Sequence, residues 1–370
     1  MTPARGGRPL RLRRAPAAAR GRASERMTYR LAGVDIDRKE AVLADSGALV
    51  RSTYRDGVLN VGGEFGGLFR LAGYRDPVVV SSIDGVGTKT ALAGILGRWD
   101  VIGADIASHG ANDVVCHGAA PLFMLDYLAA ESLDGRTVAA LIEGIAAACR
   151  RIGIALLGGE TAEMPGIYRR LQADVVGCTV GAVERERLIT GGDIEPGDAV
   201  VGIASDGLHT NGYSLARAVL LPGGGSGALA ARRALDRVPP GWSETLADAL
   251  MRPHRCYAGP VLDLAGRVPV RGIAHVTGGG IAGNLARVLP AGCRALLTRG
   301  WPEPPVFELI RRRGRVAEAE MFRTFNMGLG MLLVVARDRA EEAVADLARS
   351  GEQAWVVGEI RSGSRGVDVA

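Results

Sequence analysis

The segment Val78-Val79-Val80-Ser81-Ser82-Ile83-Asp84-Gly85-Val86-Gly87-Thr88-Lys89-Thr90 places a carboxylate, two glycines and an ammonium where a β-branched run gives way to a helical pattern. A carboxylate at a strand end, open backbone amides at a helix start and a nearby cation suit a metal-bridged phosphate. Of the 45 Lys and Arg residues only Lys39 and Lys89 are lysines. In so arginine-biased a chain, Lys89 keeps a compact, flexible ammonium that a rigid guanidinium fork does not replace; a chance surface lysine is the alternative. The segment fits neither common phosphate motif. Thr88 stands before the lysine where the Walker pattern has glycine, and Thr90 stands where the dinucleotide fingerprint has its third glycine.

Four further clusters carry acids, histidines or bare glycines. Asp105, His109 and Asp113 fall at i, i+4 and i+8, with Asn112 beside them, on a helix otherwise rich in Ala, Val, Ile and Gly. That spacing predicts one face, and burying unpaired carboxylates is costly, so a metal or ligand face is expected over a solvated one. The stretch Gly158 to Gly166 sets Glu160 and Glu163 in a glycine- and proline-bounded loop. Ser205 to Ser214 offers His209 and Asn211 among hydroxyls, a setting that suits a titrating imidazole. Ala274 to Gly280 places His275 before Gly278, Gly279 and Gly280 at a helix start, where backbone amides suit an anion.

The elements that must position these clusters alternate along the chain. Periodicity predicts helices over 37–54, 99–118 and 134–151, a flexible glycine loop over 61–67, and strands over 78–83, 122–129, 154–157 and 173–184. A turn-rich connection, 190–198, marks a boundary between domains 27–190 and 191–370. Beyond it come strands over 199–204, 271–275, 294–298, 328–335 and 354–360 and helices over 213–221, 281–289, 305–313 and 340–350, with surface excursions at 222–227 and 239–241. The expected fold is an α/β (α+β) design of two lobes.

With 370 residues, 47% hydrophobic and 23% charged, the composition is that of a globular enzyme. The 53 glycines are about twice the usual share, as close backbone approaches or mobile loops require. The formal charge of +5 misleads: residues 1–26 hold eight arginines against Glu25, so the remainder is slightly acidic. Nucleic acid is therefore not an expected partner, and no run has the length of a membrane span. Residues 1–26 read as a disordered Arg-rich leader or a mis-assigned start, with Met27 the favoured start. Five cysteines without metal spacing suit a reduced, cytoplasmic protein.

Taken in order, the motifs resemble those of the phosphoribosylformylglycinamidine cyclo-ligase (aminoimidazole ribonucleotide synthetase) family of de novo purine biosynthesis. The resemblance rests on Ala32 to Ile36, Phe65 to Phe69, Asp84 to Lys89, Gly103 to Asp113, Pro121 to Phe123 with Asp126-Tyr127, Gly158 to Gly166, His209 to Leu215, His275 to Gly280 and Arg323 to Gly328. It implies ATP-dependent closure of formylglycinamidine ribonucleotide to aminoimidazole ribonucleotide, ADP and phosphate through an iminophosphate. It also implies an ATP-binding, dimerising amino-terminal domain whose sheets form a barrel across a homodimer, and an α/β carboxy-terminal lobe. Mg2+ is implied with the ATP, and a K+ requirement is left open. Carried over to this chain, Asp84, Asp105 and Asp113 are metal candidates, and Lys89, His209, Glu160 and His275 catalytic ones. Nucleotide and phosphate contacts fall to a flap of Gly63, Gly66 and Gly67, to Gly85, Gly87 and Thr88, to Asn112 and Asn211, and to Gly278, Gly279 and Gly280. On this reading Lys89→Ala leaves folding intact and slows turnover. Relatives with the same architecture, such as selenophosphate synthetase and thiamine-monophosphate kinase, and a non-catalytic ATP-binding regulator, are the alternatives.

Overall fold

The computed structural model describes residues 26–60, 64–132, 134–168 and 172–370. The Arg-rich leader up to residue 25, and the flap glycine Gly63, lie outside the described residues. The first lobe contains α1 (Ile36–Arg51), β1 (Pro77–Gly85), α2 (Thr90–Leu96), α3 (Trp99–Val115), β2 (Ala120–Ala130), α4 (Gly135–Ile152), β3 (Ala155–Glu163) and β4 (Ala173–Glu184). Its four strands form one sheet in the order β1-β4-β2-β3, antiparallel except for the β2–β3 pair.

The second lobe follows with β5 (Ala199–Ala204), α5 (Tyr213–Leu220), α6 (Ala228–Leu235), α7 (Leu246–Leu250) and α8 (Ala258–Ala265). Then come β6 (Val270–His275), α9 (Gly280–Val288), β7 (Cys293–Leu297), α10 (Pro305–Gly314), α11 (Glu318–Thr324), β8 (Leu329–Val335), α12 (Ala340–Arg349), β9 (Ala354–Ser362) and β10 (Gly366–Val369). Its six strands run β10-β7-β9-β5-β8-β6. The unbroken apolar run of β8 is buried at every residue, as a strand covered on both faces requires. The two-lobed mixed α/β expectation is what the chain forms.

α3 is the element on which the site depends. It is almost wholly buried, its polar Asp105, Ser108, His109 and Asn112 included, so it lies inside the molecule rather than on it. Against α4 the approach is backbone to backbone: a Cβ on Gly144 would lie 1.9 Å from the Asp100 carbonyl oxygen. One continuous apolar cluster joins α3 and α4 to β5, α5, α9 and α10, so the lobes share a core.

Three sequence expectations change. β1 runs on through Asp84 and Gly85, paired with Gly177 and Val176 of β4. The stretch from Gly158 to Glu163 is strand, not loop, in register with Leu125 to Ala130 of β2. Its glycines reflect crowding: a Cβ on Gly159 would meet Asp126 Oδ1 at 2.2 Å. Beside the surface excursions at 222–227 and 239–241, the chain forms two helices not expected from the sequence, α6 and α7, which bury apolar residues including Ala231, Leu235, Leu246 and Leu250.

Candidate active site

Side chains leave α3 in two directions. Asp105 and Asn112, seven residues apart and so on one stripe, both reach the 252–257 segment of the second lobe. Asp105 Oδ1 accepts the His254 backbone N–H at 2.7 Å and Oδ2 lies 2.7 Å from Lys89 Nζ, with both side chains fully buried. Lys89 also donates to the Arg252 carbonyl at 2.6 Å. Asn112 donates to the Arg255 carbonyl and accepts the Tyr257 N–H. Burial pushes the Lys89 ammonium down and the Asp105 carboxyl up, while their contact opposes both shifts. Among the metal candidates, Asp105 is thus turned away from open space and spends both oxygens on protein groups. The steps of four and eight residues spread Asp105, His109 and Asp113 over about 80° of one face, with Asp105 at its enclosed edge and Asp113 at its edge toward the cleft.

His109 and Asp113 face the other way, toward β1 and β6. Asp113 Oδ2 accepts from Ser82 Oγ at 2.7 Å and Oδ1 lies 2.8 Å from His275 Nδ1. His109 Nε2 is 3.1 Å from Asp84 Oδ2. Four of the chain's five histidines converge here: His254 Nε2 is 3.0 Å from His275 Nε2, and Thr210 Oγ1 joins His109 Nδ1 (3.0 Å) to His254 Nδ1 (3.3 Å). His209 stacks on His254 at 4.2 Å between centroids, and neither of its ring nitrogens has a partner. Its φ of 59° is a left-handed conformation, unusual outside glycine.

The charges sort these rings. Burial drives His209, His254 and His275 below the ordinary imidazole value, so they are neutral near pH 7. Burial pulls His109 the same way, but Asp84, Asp113 and Asp105 outweigh it and raise it. Asp84 is held low, first by His109. For Asp113, burial works upward but His275, His109 and Ser82 win, bringing it down to about 2.

A cleft of about 470 Å³ opens onto this cluster, walled by Ser82, Asp84, Asp113, His275, Thr277 and Arg287. On its second-lobe side, Asn284 donates to the carbonyls of Thr277, Gly278 and Gly280, which fixes the glycine turn ahead of α9. Asn211 lies against Gly278. Gly87 and Thr88 belong to a short 3-10 turn whose Thr88 hydroxyl is 3.1 Å from Ser214 Oγ, so the β1 turn and the 205–214 loop meet.

Glu160 is elsewhere. It sits on β3, three strands from β1 and so about 14 Å across the sheet, and pairs with Lys39 of α1 at 2.8 Å. The flap glycine Gly67 packs on Leu157 of the same strand, while the Gly66 carbonyl accepts from Asn60. The candidates therefore fall in two groups, one in the cleft and one along β3.

The sequence comparisons bear on the whole chain. The N-terminal domain of the AIR synthase related protein family matches residues 66–183 and its C-terminal domain residues 195–369. The phosphoribosylformylglycinamidine cyclo-ligase of Symbiobacterium thermophilum is 48% identical over 345 residues, 92% of this chain and 96% of that one. The chain belongs to the phosphoribosylformylglycinamidine cyclo-ligase family. The family's enzyme from Myxococcus xanthus is 47% identical, over 91% of this chain and 96% of its own. Two solved structures outside the cyclo-ligases share the fold at 18% identity over 90% of this chain. They are thiamine-monophosphate kinase from Stenotrophomonas maltophilia (TM-score 0.61, 95% of that chain) and the hydrogenase maturation protein HypE in complex with ATP (TM-score 0.62, 91% of that chain).

Within this cyclo-ligase family member, sequence reasoning left His254 out of the site. It lies in the unpatterned stretch Arg252-Pro253-His254-Arg255, and only the scarcity of histidine could have drawn attention to it. His109 was recognised as part of the α3 face but not as a member of a histidine cluster. The Lys39 pairing was also not anticipated, although Lys39 is the other lysine.

Proposed function

We propose that this chain catalyses the ATP-dependent cyclisation of formylglycinamidine ribonucleotide to 5-aminoimidazole ribonucleotide, with ADP and phosphate as co-products. The observation that carries the proposal is 48% identity to a cyclo-ligase over 92% of this chain, supported by a cleft walled by carboxylates, the neutral His275 imidazole and Arg287. The chemical problem is a poor leaving group, the formyl amide oxygen. Phosphoryl transfer to that oxygen gives an iminophosphate, the amidine nitrogen attacks the activated carbon, and phosphate leaves.

Asp84 and Asp113 fit a magnesium ion: both are low-pKa carboxylates reaching the cleft. Asp105 does not fit, its side chain being fully buried away from the cleft against Lys89 and the His254 N–H. Mg2+ bound there supplies charge neutralisation to the triphosphate, the main requirement of phosphoryl transfer. His275, neutral and at the cleft wall with Nδ1 on Asp113 and Nε2 on His254, belongs to a hydrogen-bonded chain that would receive the proton the amidine nitrogen loses on ring closure. Asp113 then stabilises the resulting imidazolium, as a carboxylate does behind a histidine base.

Arg287 and the turn Gly278 to Gly280, beside Asn211, suit the substrate's ribose phosphate. The Gly66-Gly67 segment over β3 is assigned as the flap, with Glu160 beneath it on the nucleotide side. Lys89 is reassigned from phosphate contact to the buried pair that joins α2 to α3. We also assign a homodimer built on the exposed face of the four-stranded sheet, where Val79 and Ile83 are 61% and 71% accessible. Five free cysteines suit a reducing cytoplasm, and no helix among the described residues is long and apolar enough to cross a membrane.

The test is to supply the purified protein with formylglycinamidine ribonucleotide, ATP and magnesium. Aminoimidazole ribonucleotide is expected in equal amount to ADP and phosphate. ATP binding without product would refute the activity.

A further inference from the structure

His109, Asp113 and His275 each turn one ligand atom toward a common point, all within 4.8 Å of one another. His275 Nδ1 lies 2.8 Å from Asp113 Oδ1, and His109 Nε2 lies 3.8 Å from Asp113 Oδ2. Ligands held about 2.0–2.1 Å from a tetrahedral ion are roughly 3.4 Å apart, so little movement closes this set around one. His109 is buried, and its Nε2 also lies 3.1 Å from Asp84 Oδ2. An ion at this point would displace the proton that Nε2 otherwise shares with Asp84.

The far side of each ring is held. His109 Nδ1 meets Thr210 Oγ1 at 3.0 Å, and His275 Nε2 meets His254 Nε2 at 3.0 Å. The remaining Asp113 oxygen contact is Ser82 Oγ at 2.7 Å. With an ion in place, one proton arrangement keeps every ring neutral. Thr210 Oγ1 accepts from His109 Nδ1–H and from His254 Nδ1–H, and His254 Nε2 accepts from His275 Nε2–H. The nitrogens whose lone pairs then meet the ion are His109 Nε2 and His275 Nδ1; without the ion they share protons with Asp84 and Asp113. Fixing a ring through its distal nitrogen is how metal-binding histidines are oriented.

We propose that His109 Nε2, His275 Nδ1 and an Asp113 carboxylate oxygen form a site for a zinc-class transition ion, with its fourth position open to the cleft beside Asp84. Imidazole selects Zn2+, Co2+ or Ni2+ over Mg2+, which keeps oxygen ligands and water. Because Asp113 is also assigned above to magnesium, the two ions exclude each other. The inhibitory consequence rests on that reading; the site itself does not.

The probe is Co2+ added to full-length, chelator-treated protein without ATP or substrate. One equivalent should give the intense visible bands of a tetrahedral nitrogen-containing site, and Zn2+ should abolish them. His275→Gln and His109→Gln should each weaken binding by at least ~100-fold, and Thr210→Val by ~10–100-fold, the usual loss for a group that orients a ligand. Circular dichroism identifies any variant that fails to fold, and His275→Gln at the cleft wall keeps the test open if His109→Gln does so. A weak octahedral spectrum, or binding indifferent to both histidines, would overturn the proposal. Zinc inhibition should be competitive with Mg-ATP, and inhibition that Mg-ATP does not relieve would overturn the shared ligand. Ring closure with Mg-ATP is measured separately, so product without Co2+ binding sinks this inference alone.

Discussion

At the scale of single residues, burial changes what a side chain can do more than its type does. Lys89 has the sequence setting of a phosphate lysine, yet its side chain is fully buried against Asp105 and the Arg252 carbonyl. Removing one member of such a pair leaves a charge without water or partner, which costs about 3–5 kcal/mol, whereas replacing both can be nearly neutral. Lys89→Met is therefore expected to lower the urea midpoint sharply, and Lys89→Met with Asp105→Leu to recover most of the loss. An unchanged midpoint in the single variant would restore the expectation that Lys89→Ala spares folding. Asp126, on the β2 row that meets Gly159, has its carboxyl raised to about 7, chiefly by burial. The unfolded carboxyl titrates near 3.9, so the folded state holds the extra proton between these values. Its contribution to stability is full below about pH 4 and falls at about 1.4 kcal/mol per pH unit up to about pH 7. Asp126→Asn should remove that slope, making the variant's advantage over wild type larger at pH 8 than at pH 4. Urea titrations at the two pH values check it, and equal differences would show that the carboxyl titrates normally.

Between elements, the decisive contacts are backbone approaches that composition announces but does not locate. Gly144 lies in the middle of α4, where alanine is intrinsically preferred by about 1 kcal/mol. Its Cβ would stand 1.9 Å from the Asp100 carbonyl of α3. Overpacking of that kind costs about 1–3 kcal/mol, enough to reverse the propensity. Gly144→Ala should thus lower the thermal midpoint, and a rise would mean that α3 and α4 can part at no cost. The same comparison shows what was legible. Apolar runs, β-branched in β1, β4 and β5, revealed β1, β2, β4, β5 and β8, and apolar periodicity revealed α3, α4, α9 and α12, because burial on defined faces leaves a repeat in the sequence. Beyond Leu157, β3 was hidden: Gly158 and Gly159 serve close strand pairing but read locally as a turn. α6 and α7, of eight and five residues, are too short to display a period. Asp84, Asp113, His209 and His275 were legible as site candidates because each sits by a glycine turn after a strand or on a buried helix that carries no Lys, Arg or Glu. His254 was not, since its role exists only once Asp105 draws its backbone against α3 and its ring meets His275.

For the molecule as a whole, the cleft exists only where the lobes meet, since β1 and α3 bring Asp84 and Asp113 while β6 and α9 bring His275 and Arg287. The opposite face of the four-stranded sheet is left open. Register aligns Ser81, Val180 and Phe123 in one row and Ile83, Cys178 and Leu125 in the next. Val79 and Ile83 are mostly accessible, and Leu125 is 36% accessible. A contiguous apolar face on a sheet is a surface that association covers, and a twofold pairing lets the same rows meet themselves. Glutamate at Val79 and Leu125 puts charge into that face while leaving α3, the cleft and the strand hydrogen bonds alone. Sedimentation should therefore find a dimer for the wild type and a monomer for Val79→Glu/Leu125→Glu, with unchanged far-ultraviolet circular dichroism. A variant that remains dimeric would move the interface to another surface, and a monomeric wild type at enzyme-assay concentrations would remove the dimer altogether.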